Sequence, residues 1–216
     1  MLSSGRLLKP DSCMANQLHN YLKPLQKELE KQADSDIAKG QEDYMLGKFS
    51  FYGIKKPVLK DITKKFFKDT GLPEHTGLEA IVKSAWKQPQ REWHYIAMEL
   101  ARKFARKAEP KHLELYVHMI THQSWWDTVD EVAVHLVGPF FRKHPQLMRP
   151  ETGKMMSSGN LWLQRTAVIF QRTYKKDTDK ELLFDYCARL AHEEEFFIRK
   201  VIGWALREYS KYNPDA

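Results

Sequence analysis

Cysteine is nearly absent: the 216 residues hold two, Cys13 and Cys187, far apart and outside any CxxC. That excludes a disulfide framework and a cysteine-ligated zinc site. The nine histidines are scattered and none forms HExxH, so no metal is expected. No apolar run reaches the roughly eighteen residues of a membrane-spanning helix, so no membrane partner is expected. There is no glycine-rich phosphate loop, no dinucleotide fingerprint and no Ser, Cys or Lys nucleophile beside a base. No cofactor is expected. No segment alternates apolar and polar residues long enough to demand a sheet. The opening MLSSGRLLKPDSC carries basic residues without an apolar core, a poor signal peptide, and the expected location is cytoplasmic.

What is present is core-forming sequence and basic charge. A hydrophobic fraction of 42% suits one elongated domain, expected over 16–216 behind a disordered extension at 1–15, with Met14 a candidate start. Lysine and arginine number 35 against 28 acids, a net charge of +7 and pI near 9.2. This excess permits a polyanionic partner without requiring one. Several of the six tryptophans stand beside charged residues at helical spacing.

A register recurs every 35 residues: Tyr95, Asp130, Arg165 and Lys200, with Ala97, Val132, Ala167 and Ile202 two places on. The segments Arg91–Phe104, Asp127–Pro139, Leu161–Tyr174 and Phe196–Tyr209 read as one helix used four times. Such a period is the signature of a helical-repeat array, in which equivalent positions line one face. The expected fold is therefore all-α, a curved α-solenoid of HEAT-like helical repeats.

Apolar spacing and Gly/Pro punctuation predict helices over Asn16–Gln32, Ser35–Met45, Pro57–Thr70, Gly77–Lys87, Gln90–Lys107 and Pro110–Thr121. Others are predicted over Trp125–Leu136, Pro145–Ser157, Asn160–Tyr174, Asp179–His192 and Glu195–Tyr212. Val137-Gly-Pro139 and His144-Pro145 read as breaks.

The polar residues of the register are the candidates for chemistry. In Ser124-Trp-Trp-Asp-Thr-Val-Asp130, a helix capped by Ser124 puts Trp126 and Asp130 on one face. Arg165 fills Asp130's slot one repeat later. It either pairs with a neighbouring repeat's carboxylate or holds a phosphate; spacing leaves both open. Trp204 lies four after Lys200, with Arg207 one turn further. A groove with a carboxylate, two indoles and basic side chains can stabilise positive charge, contact a cation and hold phosphates.

The strings SWWDTVD, NLWLQRTAVIFQ and EEFFIRKVIGWALREYSKYNPD, with YMLGKFSFYGIKKP near the N-terminus, resemble the AlkD-like DNA alkylation repair glycosylases, built from HEAT-like repeats. The resemblance runs from about Gln17 to the last residue. It implies excision of N3- and N7-alkylated purines, without a metal and without flipping the base into a pocket. It implies Asp130 as catalytic carboxylate, Trp126 and Trp204 as the indoles at the damaged nucleotide, and Arg165 as the phosphate and active-site arginine. Tyr44, Lys200 and Arg207 are then DNA-groove residues. The implied partner is double-stranded DNA containing alkylated purines, bound by a monomer that is nucleoid-associated when on DNA. The family continues past its Asn-Pro-Asp motif with further helical sequence, whereas this chain ends at Ala216. Two other classes stay open: a non-catalytic binder of damaged or structured DNA, and a protein-interaction scaffold.

Overall fold

In the computed structural model of the chain, residues 10–213 are described, with side chains from residue 20 onward. All regular structure among them is helical; Ser50 and Gln90 form an isolated bridge. The all-α reading holds. The chain divides into two compact units, one up to Ala97 and one from Met98, where the sequence predicts one domain. The boundary falls inside a helix, so no break in local sequence pattern marks it.

The first unit holds α1 (Pro10–Lys31), α2 (Ser35–Tyr44), α3 (Lys56–Thr70), α4 (Leu78–Trp86) and the start of α5 (Arg91–Phe104). The α1 helix begins at Pro10 rather than Asn16. Proline's fixed φ suits a first helical position; residues 1–9 of the expected extension lie outside the described residues. Leu22, Leu25 and Leu29 of α1 are buried, and α1 packs on α3 and α4. Leu59 and Phe66 supply the buried stripe of α3, and Ile81, Val82 and Trp86 that of α4.

The connector from α2 to α3 is held by the buried Glu92 and the exposed Asp34. Glu92 of α5 accepts the backbone N–H of Gly53 at 3.0 Å and those of Tyr52 and Ile54 at 3.1 Å. Asp34 caps α2, accepting from Asp36 and Ile37 at 3.0 Å, and its own N–H donates to the Tyr52 carbonyl at 2.8 Å. Gly53 adopts φ +87° where a Cβ would collide with the Asp34 carbonyl, so both conformation and space require glycine.

The second unit holds the end of α5, α6 (His112–Thr121), α7 (Trp126–Val132), α8 (Gly138–Lys143), α9 (Pro145–Ser157), α10 (Leu161–Ile169), α11 (Lys180–Arg189) and α12 (Phe196–Ser210). Its hub is α10, which packs against α6, α7, α9, α11 and α12. That explains its composition: every residue from Arg165 to Ile169 is buried, so no polar face is left to the helix. Asn160 starts it by accepting the N–H groups of Trp162 and Leu163 at 3.0 and 3.1 Å.

The junctions that follow α7 and α10 depart from expectation. The stretch Val137-Gly-Pro139, read as a break, is instead a continuous passage: α7 widens into a π turn over Ala133–Val137 and runs on as α8. Pro139 follows this widened turn and has no N–H to donate back along the helix. Gly138 lets that turn meet α10's exit, since a Cβ there would lie 2.6 Å from the Phe170 carbonyl oxygen. Tyr174 donates its hydroxyl to the Gly138 carbonyl at 2.6 Å. The α10 helix accordingly stops at Ile169, short of the predicted Tyr174.

Candidate active site

The 35-residue register places Asp130, two residues before the end of α7, against Arg165 in the middle of α10. Arg165 donates from Nε to Asp130 Oδ1 at 2.7 Å and from Nη2 to Oδ2 at 2.8 Å. This is the parallel two-bond fork that a planar guanidinium makes with a carboxylate. The remaining nitrogen, Nη1, donates to the Phe197 carbonyl at 2.5 Å, tying the start of α12 to the pair. Of the two partners that sequence leaves open for Arg165, the geometry has the carboxylate of the neighbouring repeat. The arginine side chain is 1% exposed and that of Asp130 13%, so the arginine is sealed behind the acid and only the acid has an open edge.

Burial pushes the Asp130 carboxyl above its usual value, against the opposing pull of the Arg165 hydrogen bonds and charge and of the Arg172 charge. The fork occupies one lone pair on each carboxylate oxygen, and the other pairs remain to meet a ligand or water.

Aromatic rings surround the pair. The Arg165 guanidinium carbon lies 5.5 Å from the Trp204 ring centroid and 5.9 Å from that of Phe197. Phe197 is in turn 5.0 Å from Trp125 and 5.2 Å from Trp162, and the two indoles are 5.8 Å apart. Trp126 is half-buried at the first position of α7, one turn before Asp130. The expected cap is different: Trp125 is the N-cap residue and makes no side-chain cap bond, while Ser124 Oγ donates back to the Ile120 carbonyl at 2.6 Å. A serine hydroxyl that returns to the preceding helix is no longer available to the next one.

The structure thus brings together Asp130, Arg165 and Trp204, with Trp126 on the helix of the acid. Lys200 and Arg207 lie exposed on α12, with the Lys200 ammonium 5.4 Å from the Phe196 ring. Tyr44 ends α2 in the other unit, 68% exposed. Sequence reading did not single out Phe197, which lies against Arg165, or Trp162, which packs on Phe197; their signal is aromatic content beside the register slots, in Leu161-Trp-Leu-Gln-Arg165 and Phe196-Phe197. Among the described residues no group of His, Cys, Asp and Glu could hold a metal ion, and no helix is long and apolar enough to cross a membrane. Cys187 is buried and its thiol is pushed up to about 11, a packing residue rather than a nucleophile.

The model of one protein family, described as DNA alkylation repair enzyme, matches residues 25–216. The chain belongs to that family. Among solved structures, a predicted DNA alkylation repair enzyme from Enterococcus faecalis is similar at 27% identity, with a TM-score of 0.79 over 85% of this chain and 86% of that one. No curated protein matches. Membership gives this chain a role in DNA alkylation repair and implies DNA as its partner.

Proposed function

We propose that the protein is a monofunctional DNA glycosylase that hydrolyses the N-glycosidic bond of N3- and N7-alkylated purines. The observation that carries the reading is the Asp130 carboxylate, oriented by a two-bond fork to a buried arginine and left open on one edge. An alkyl group on N3 or N7 gives the purine a positive charge, which makes it a ready leaving group. When the C1′–N bond breaks, its electron pair passes to the purine and neutralises that charge. Positive charge moves to the sugar, which becomes oxocarbenium-like. A fixed carboxylate lowers the energy of that state, because it needs no reorganisation as the charge develops. Water then bonds to C1′ and loses its proton, leaving an abasic site.

Trp204 and Trp126 supply indole faces for the cationic nucleotide, an attraction that weakens once the base is neutral. Arg165 acts here as a positioning residue. Its fork fixes both Asp130 oxygens, and its hydrogen bonds and charge oppose the upward push of burial on the carboxyl. Lys200, Arg207 and Tyr44 are the exposed candidates for holding the DNA backbone, which needs no reading of sequence.

The reading is tested by incubating the protein with duplex DNA carrying one N7-methylguanine. Release of the free base, with an alkali-labile site left in the strand, is the expected result. Binding of the duplex without base release would favour a non-catalytic binder. Absence of both would favour a protein-interaction scaffold.

A further inference from the structure

The α3 helix of the first unit carries charge that the site above does not use. Lys56, Lys60, Lys64 and Lys68 recur at every fourth residue, and all four side chains are exposed. Positions four apart form one inclined ridge of a helix surface, so the four ammonium groups form a row that starts beside the buried Leu59–Thr63–Phe66 stripe at Lys56 and winds about 120° around the helix to its solvent side at Lys68. The row spans about 18 Å, from a rise of about 1.5 Å per residue. The helix has two carboxylates, Asp61 and Asp69, and Asp69 is paired with Lys65, off the row. Among the described residues none of Lys60, Lys64 and Lys68 has a carboxylate within ion-pair distance. At the start of the row the Lys56 ammonium stands 5.9 Å from the ring centroid of Tyr95.

Four like charges on one ridge repel each other in the free protein, a cost that an anion of matching length removes. A DNA strand presents one phosphate per about 3.4 Å of axis, so a row of about 18 Å faces about five consecutive phosphates. Lysine suits this task, since its long flexible stem lets a point charge find a phosphate at any register.

We propose that Lys56, Lys60, Lys64 and Lys68 form a phosphate-tracking ladder by which the N-terminal unit holds the sugar–phosphate backbone of duplex DNA, independently of sequence and of damage. The ladder rests on the DNA-partner reading above but not on the excision chemistry.

The test is the affinity for an undamaged duplex, followed by fluorescence anisotropy over a series of salt concentrations. Wild type is compared with K56Q/K60Q/K64Q/K68Q and with K65Q, whose lysine is engaged by Asp69. Each lysine that releases counterions adds about 0.9 to the slope of log affinity against log salt. The fourfold variant is therefore expected to lose at least about 2 from the slope and at least about tenfold in affinity at low salt. K65Q is expected to keep both the wild-type slope and the wild-type rate of single-turnover excision. Should the fourfold variant melt early, K60Q/K64Q is read instead, with an expected loss of about 1.8. A wild-type slope in a folded ladder variant, or an equal loss from K65Q, overturns the proposal. The two readings fail separately. If wild type binds with a ladder-dependent slope but releases no base, the glycosylase reading falls and the ladder stands. If base is released while the slope ignores the ladder, the reverse holds.

Discussion

Glu92 in the first unit and Asp130 in the second are both largely withdrawn from water, yet they are satisfied in opposite ways. Glu92 accepts three backbone N–H groups, from Tyr52, Gly53 and Ile54. Its oxygens are spent on the chain itself, and the result is a fixed connector. Asp130 accepts from one side chain, the Arg165 fork, and keeps an exposed edge. The neighbouring arginines repeat the contrast. Arg91 is fully buried, stacked 3.8 Å from the Phe49 ring centroid and bonded to His94 Nδ1 at 3.0 Å. Arg165 is as deeply buried, but its donors go to the carboxylate that faces the site. Burial of a charge therefore does not by itself mark chemistry. What marks it is where the partner's remaining lone pairs point.

The contrast breaks most visibly at Arg165. Arg165→Ala leaves the Asp130 carboxylate buried without its counter-charge, a loss of about 3–5 kcal/mol for a buried pair cut on one side. Thermal melts are expected to show this, and excision is expected to fall with it. Arg165→Lys restores the charge without the two-bond fork. It is expected to recover part of the melt while excision stays low, which separates positioning from bulk stability. Recovery of both would mean that charge alone matters.

Glu92→Gln probes the other side of the comparison. The change keeps shape but replaces one acceptor oxygen with a donor facing backbone N–H groups, costing about 1–3 kcal/mol. A lower melting temperature with unchanged excision per folded molecule is expected. Slower excision at an unchanged melting temperature would move Glu92 into the site. A smaller effect is expected at Trp204. Trp204→Ala removes one indole face, worth about 0.5–2 kcal/mol toward a cation, so single-turnover excision should slow by about 2- to 30-fold. An unchanged rate would leave Trp204 as packing around Arg165.

Much of this was legible because helical repeats write tertiary contacts as a linear period. That Asp130 and Arg165 share one face follows from their 35-residue separation, and Trp204 joins that face one turn after Lys200, which occupies the same slot. Apolar spacing and end signals located α2, α3, α9 and α12 to within two residues at either end. The passage through Gly138-Pro139 was not legible, because a π turn and a close approach to Phe170 are set by packing from another helix. The partner of Arg165 was open for a related reason. Spacing shows that two groups share a face, but only geometry shows that the guanidinium's donors are already taken. The Glu92 clamp on the connector is also invisible from spacing, since it joins residues about forty apart that share no period.

The central claim is that Asp130 stabilises positive charge on the sugar. Asp130→Asn tests it most directly, as single-turnover excision of N7-methylguanine beside a thermal melt, with Asp127→Asn as control. Asparagine leaves the buried Arg165 guanidinium without a counter-charge, so the melting temperature is expected to fall and excision is measured well below the variant's midpoint. The account predicts a folded, DNA-binding Asp130→Asn protein whose excision rate is down by about 10²-fold or more, the scale of losing one preorganised electrostatic group. Asp127→Asn is expected to stay near the wild-type rate. A folded Asp130→Asn protein that excises at the wild-type rate would contradict the account and leave Asp130 as a structural partner of Arg165.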